Sequence, residues 1–241
     1  MWVWNASTGK LQQTYRGHNN WVISLACSPD GKYIASGSFD QTVQIWEAAT
    51  GRQVVIYNGH SDRICSVAWS PDGNYVASAS YDTTVQIWEA ATGRHVYTYQ
   101  THGYPVYTVA WSPDGQRIAS GDAGVTDGTG GTVLVWPVTL FEGNGQQPQP
   151  IVVSYSQGNR AYESHNNAVE AVAWSPDSRY IASVAHDIQI FDSFTGKPIY
   201  TYTKHNAGTG PAVQAVAWSP NGRYIASGGM EGTVQVWNAR L

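Results

Sequence analysis

From Ile64 to Trp69 the side chains alternate, with Ile64, Ser66 and Ala68 on one side and Cys65, Val67 and Trp69 on the other. A period of two is the signature of a β-strand with two different faces. Ser70-Pro71-Asp72-Gly73 follows. Proline presets φ near about −65° at the second turn position and glycine supplies the angle other residues resist, so this tetrapeptide predicts a tight turn. Tyr75 to Ser80 then runs back as a second strand, Thr84 to Trp88 forms a third, and after Ala91-Thr92-Gly93 a fourth covers Val96 to Tyr99. A single sheet of four short strands leaves one face bare and is stable only when stacked on others.

The same pattern returns along the chain. Ser-Pro-Asp-Gly occurs at 28–31, 70–73 and 112–115, and again as Ser175-Pro176-Asp177-Ser178 and Ser219-Pro220-Asn221-Gly222. An apolar residue followed by Trp or Phe ends at Trp4, Trp46, Trp88, Trp136, Phe191 and Trp237. Thr42 to Arg52 and Thr84 to Arg94 are the same eleven letters, as recent duplication would leave them. A repeat of this length with four strands per unit predicts an all-β architecture of five stacked sheets, read as a single domain over residues 1–241. It also apportions the 11 tryptophans. Trp4, Trp46, Trp88, Trp136 and Trp237 fall on third strands, and Trp69, Trp111, Trp174 and Trp218 on first strands, where periodicity makes them core. Trp2 and Trp21 remain as candidates for exposure.

Charge narrows the partners. Only 12% of residues are charged, against about 25% in an average protein, and 13 Lys and Arg are spread through the chain for a net charge of −4. Phosphate backbones and anionic membranes need clustered cations, so neither nucleic acid nor a membrane surface is expected. No run approaches the ~20 apolar residues that span a bilayer, and the N-terminus has no basic and apolar leader pattern. Cys27 and Cys65 lack metal-ligand spacing and are expected to be small buried residues in a reducing, cytoplasmic compartment.

Gly17-His18 and Gly59-His60, the Ser-Pro-Asp-Gly turns and the terminal Ile-Trp-Glu together resemble the tryptophan-aspartate (WD) repeat, and the resemblance covers the chain from Trp2 to Trp237. It implies a β-propeller with one four-stranded blade per repeat. The final Asp of the family motif is replaced by Glu47, Glu89, Pro137 and Asn238 and kept only as Asp192. His18, Ser36, Asp40 and Trp46 recur as His60, Ser78, Asp82 and Trp88 at identical spacing. An indole N–H donates, a hydroxyl donates and accepts, a neutral imidazole does one of each and a carboxylate accepts, so the four can bond in one direction. The resemblance implies that they form structural tetrads rather than a catalytic triad, and no G-x-S-x-G elbow is present. The third copy keeps His102, Ser120 and Trp136, with Asp122 or Asp127 as acceptor. The fourth has His165, Ser183, Asp187 and Phe191, and the fifth His205, Ser227, Glu231 and Trp237.

The family's usual ligand face carries the loops between blades and between second and third strands. On those loops Phe39, Tyr81, His186 and Met230 stand just before the recurrent acid, and Trp21, Arg63 and Tyr104 just before first strands. Aromatics beside arginine have the composition of a recognition surface. The insertions Gly121 to Gly131, Ser156 to Ser164 and Asn206 to Ala212 fall on the same face, and Leu140 to Pro150 on the other. Asp122 and Asp127 lack the alternating ligands of a calcium loop, so neither metal nor cofactor is expected. The expected role is a noncatalytic scaffold for a protein or peptide; a glycan-binding propeller is the alternative. Finally, Lys10 to Tyr15 matches a fourth strand and the fifth copy has none, which predicts an N-terminal strand closing the C-terminal blade of a monomer, with self-association through incomplete blades as the other outcome.

Overall fold

In the computed structural model, which describes residues 1–100, 102–124, 131–138, 149–154, 168–205 and 213–239, every regular element is a β-strand. A hairpin of β1 (Trp2–Trp4) and β2 (Leu11–Thr14) comes first. Four antiparallel sheets of four strands follow, each ordered as the chain runs. They are β3 (Val22–Cys27), β4 (Tyr33–Ser38), β5 (Val43–Glu47) and β6 (Gln53–Tyr57), then β7 (Ile64–Trp69), β8 (Tyr75–Ser80), β9 (Val85–Glu89) and β10 (His95–Tyr99). Next come β11 (Val106–Trp111), β12 (Arg117–Asp122), β13 (Thr132–Pro137) and β14 (Ile151–Ser154), then β15 (Ala171–Trp174), β16 (Tyr180–Val184), β17 (Ile188–Asp192) and β18 (Pro198–Tyr202). The last sheet has three strands, β19 (Val213–Trp218), β20 (Tyr224–Gly229) and β21 (Val234–Asn238).

The Ser-Pro-Asp-Gly turns hold themselves. The Ser28 hydroxyl donates to Asp30 at 2.6 Å and accepts from the Tyr33 N–H at 2.9 Å, while Gly31 takes φ of 70°. Ser70, Asp72 and Gly73 repeat this geometry at the next turn. In the fourth turn Ser178 takes the glycine position at φ 61°, and its hydroxyl accepts the Asp114 N–H at 3.0 Å, a bond glycine could not make.

The cores lie between sheets, not within them. Ala35, Val43 and Ile45 of the first sheet meet Ile64, Val67 and Trp88 of the second, and the same grouping recurs at the next three junctions. Fully burying each such Val or Ile contributes roughly 1.5–3 kcal/mol. First strands run side by side: Val67 N–H donates to Ser24 Oγ at 3.0 Å, and the indoles of Trp69, Trp174 and Trp218 donate to Ala26, Ala110 and Ala173 carbonyls at 2.9–3.2 Å. Gly37 is the socket for this approach, because a Cβ there would lie 2.6 Å from Ile64.

Three expectations are corrected at the ends of the array. β2 pairs with β1 and not with β21, since the Asn5–Gly9 turn delivers β1 to it directly: the Asn5 side chain caps the Ser7 and Thr8 N–H groups, and Gly9 turns at φ 66°. Trp4 is exposed rather than core, for β1 has no second strand beside it, whereas Trp46 at the same repeat position is buried. Cys27 is exposed, because the residues matching it, such as Trp111 and Trp174, are covered by packing on the first strand of a preceding sheet that β3 lacks. Cys65, inside the array, is partly covered, and burial pushes its thiol up to about 12.

Candidate functional site

In the first, second, third and last sheets the recurrent polar residues meet at one end. In the second, Asp82 accepts from His60 Nδ1 at 2.7 Å, His60 Nε2 and the Ser78 hydroxyl are 2.8 Å apart, and Trp88 Nε1 donates to Ser78 at 3.3 Å. His18, Ser36 and Asp40 repeat the first two links at 2.8 Å each. There the link from the indole is missing: Trp46 Nε1 is buried without an acceptor, its ring held parallel to Tyr15 with centroids 4.9 Å apart. Asp122 fills the acceptor role in the third sheet, 2.9 Å from His102, and Asp127 lies outside the described residues. In the last sheet Glu231 reaches His205 at 2.5 Å. His165 also lies outside the described residues.

Burial would raise the Asp82 carboxyl, but hydrogen bonds from His60, Thr84 and the Ser61 N–H outweigh it and hold the group down at about 2. Asp40 is lowered by the same balance. Thr233 first and His205 second lower Glu231 to about 2. A carboxylate so held is an orienting anchor for its histidine, with both imidazole nitrogens occupied by Asp82 and Ser78 and neither aimed at solvent.

A further lock escapes the sequence pattern. Tyr57 and Tyr202, each ending a fourth strand, and Tyr15, just after β2, donate to Gln86, Gln235 and Gln44 on third strands of the next sheet at 2.5–2.7 Å. Gly59, before His60, is required here, since a Cβ would lie 2.2 Å from the Tyr57 hydroxyl.

On the same end of the first three sheets one exposed ring, Trp21, and three half-buried ones, Phe39, Tyr81 and Tyr107, join into a ladder. Trp21, 73% exposed, stacks on Phe39 with centroids 5.9 Å apart. The Arg63 guanidinium lies 5.0 Å from the Phe39 ring and 4.3 Å from that of Tyr81. Tyr81 donates to Tyr107 at 3.2 Å. Backbone bonds fix the two loops together, from Phe39 N–H to Trp21 carbonyl at 2.8 Å and from Tyr81 N–H to Arg63 carbonyl at 3.0 Å. Burial, followed by the bond from Tyr81, raises the Tyr107 phenol, and burial raises Glu170 beyond it. Tyr104 and Met230 are exposed and His186 half-buried, but among the described residues no ring contact or hydrogen bond joins them to this ladder. Tyr107 lies on a first strand and not on a loop, outside the positions the repeat pattern marks for binding. Its signal was an aromatic at the repeat position held by Ile23 and Cys65. Of the insertions, residues 125–130 of Gly121 to Gly131, residues 140–148 of Leu140 to Pro150, and all of Ser156 to Ser164 and Asn206 to Ala212 lie outside the described residues.

Arg117 stands where the other repeats have Tyr33, Tyr75, Tyr180 and Tyr224. Buried, it donates to the Ser193 hydroxyl and the Ser178 carbonyl at 2.8 Å each and lies 3.9 Å from the Phe194 ring centroid. It bolts the third sheet to the fourth. A cavity of about 270 Å³ lies at the turn end of the second and third sheets, between Pro71, Tyr75, Trp111 and Val138.

Residues 9–47, 51–89, 93–136, 157–190 and 196–238 each match the family model for the WD domain, G-beta repeat, over more than half of the chain. The chain belongs to the WD40 repeat family. Five WD40 repeats imply a β-propeller, with each four-stranded sheet a blade. Single segments are similar to curated WD40 relatives. A Lissencephaly-1 homolog from Caenorhabditis briggsae is 54% identical over 39 residues, 16% of this chain and 10% of the relative. The transcriptional repressor tup12 of Schizosaccharomyces pombe is 50% identical over 36 residues, 15% of this chain and 6% of the relative. The periodic tryptophan protein 2 homolog of the same yeast is 42% identical over 45 residues, 19% of this chain and 5% of the relative. The matched segments thus span a tenth or less of these relatives. WD40 domains commonly mediate protein interactions. Among the described residues no group of His, Cys, Asp and Glu is arranged to hold a metal, and no helix is long and apolar enough to cross a membrane.

Proposed function

We propose that this chain acts as one noncatalytic scaffold domain, in a reducing cytoplasmic compartment, and takes a protein or peptide on the ladder of Trp21, Phe39, Arg63, Tyr81 and Tyr107. The observation that carries this is the Arg63 guanidinium wedged between two rings at 5.0 and 4.3 Å beside a tryptophan left 73% exposed. Rings and arginine held rigid before binding lose little entropy on contact, which is the economy of interface hot spots. The buried histidines, each closed off by its acid and its serine, support a structural role and not a reactive one.

The test compares the parent with the triple variant Trp21→Ala, Phe39→Ala, Tyr81→Ala as affinity baits in native extract, with a glycan array run beside them. The expected result is a set of proteins retained by the parent and lost by the variant at unchanged circular dichroism. Equal retention would move the docking face elsewhere. Selective array binding by the parent would turn the reading toward glycans.

A further inference from the structure

The hairpin β1–β2 and the sheet β19–β21 are two incomplete versions of the same blade. By repeat position β1 and β2 are third and fourth strands, and β19 to β21 are first, second and third. β2 already serves the first blade as β6 serves the second: Tyr15 stacks on Trp46 at 4.9 Å as Tyr57 does on Trp88 at 4.7 Å. What the first blade lacks is a neighbour under β3, where Leu25 is 57% exposed and its counterpart Val67 is 5% exposed. What the last blade lacks is a neighbour over β21, where Val234 and Val236 are 76% and 69% exposed and their counterparts Val43 and Ile45 are buried. Gly228 stands open at the repeat position where Gly37 receives Ile64 and Val67. Met230 is exposed at the position where Phe39 lies under Arg63.

We propose that these two faces are the halves of one head-to-tail contact between copies of this chain. Leu25 of one copy packs over Gly228 of the other, and Val234 and Val236 are covered by β3. Trp21, which holds the repeat position of Arg63, lies over Met230, a thioether against a ring. A second copy is the occupant because four junctions of this design already exist within the chain, the bare faces carry the same apolar residue types those junctions bury, and none of the strands β3, β20 and β21 contains a charged residue. Docking sets β21 where β1 stands. β1 has three residues, with Trp2 and Trp4 exposed, so it yields the edge of β2 to β21, with Val236 opposite Gln13 as Ile45 is opposite Val55. A contact between unlike faces closes into a ring or extends as a chain of copies.

Light scattering on the 241-residue chain over a concentration series tests this. The expected mass exceeds the 26.2 kDa monomer and rises with concentration. Leu25→Asp and Val236→Asp, both at exposed positions and outside the ring ladder, each abolish association with circular dichroism unchanged. Mixed together they form a one-to-one complex, because each keeps the face the other has lost. A Gln13→Cys chain and a Val236→Cys chain, both carrying Cys27→Ser, form a disulfide-linked dimer when the mixture is treated with an oxidant such as copper–phenanthroline, which covers the case that an aspartate variant fails to fold. A parent that stays at 26.2 kDa, an oligomer that survives either single variant, or a mixture that stays monomeric overturns the proposal.

Discussion

Replacing His60 with alanine probes the tetrad where its geometry is most complete. The imidazole is buried and makes two short hydrogen bonds, at 2.7 Å to Asp82 and 2.8 Å to Ser78, beside a longer contact of Nδ1 with the Thr84 hydroxyl at 3.3 Å. Neither partner is stranded by its loss. Asp82 keeps the Thr84 hydroxyl at 2.7 Å and the Thr84 and Ser61 N–H groups at 3.0 and 3.1 Å, and Ser78 keeps Trp88 and the Gln86 carbonyl. The cost is therefore two net hydrogen bonds and a small void beside the Tyr57 ring, roughly 2 kcal/mol, not the larger penalty of an orphaned buried charge. For a chain of this length that lowers the melting temperature by roughly 4–8 °C. Thermal unfolding followed by tryptophan fluorescence reads it, with His95→Ala, at the one exposed position of β10, as the control that stays near the parent. Acidity supplies a second axis. The Asp82 carboxyl sits at about 2 when folded, below its unfolded value, so its contribution is present above the unfolded value and is lost as pH falls through the folded one. The gap between parent and variant should narrow as pH drops from about 4 toward 2. A variant melting with the parent at neutral pH, or a gap independent of pH across that window, would refute the argument.

Two other outcomes follow from backbone and packing. Thr83 is held at φ 70°, where Gly232 stands at φ 78° in the last repeat, and Thr83→Gly is expected to stabilise by about 0.5–1 kcal/mol in thermal melts; no gain would mean the left-handed angle costs threonine nothing here. Arg117→Ala, which removes the donors to Ser193 and Ser178 and the stack on Phe194, should cost roughly 2–4 kcal/mol in urea unfolding, whereas an unchanged midpoint would show that the bolt between the third and fourth blades carries no stability.

Much of the architecture is legible in the sequence because each repeat spells its own strands. The alternation from Ile64 to Trp69 and the turn that follows set two strands and their register without help from distant residues. Constant spacing likewise brings His60, Ser78 and Asp82 into contact, since equal spacing in equal sheets yields equal geometry. What depends on neighbours is harder to read. Trp4 has the pattern of Trp46 and a different fate, as burial belongs to the junction and β1 has half a blade around it. Arg117 looks like a surface cation until Ser193 and Phe194 of the next sheet surround it. Tyr107 looks like a first-strand filler until Tyr81 of the preceding sheet reaches it.

β5 and β9 carry the same five residues, VQIWE, and each takes a different fourth strand, β6 or β10. Nothing in their side chains tells them apart, so correct pairing during folding must come from tethering. The five residues between β9 and β10 keep the proper partner at a local concentration that no distant rival can match. That protection weakens where connections lengthen, and in the third blade thirteen residues separate β13 from β14. Nascent chains that misassemble should therefore do so first at the third blade, while the two nearly identical blades before it, joined by short links, close early and act as the template on which the rest is added.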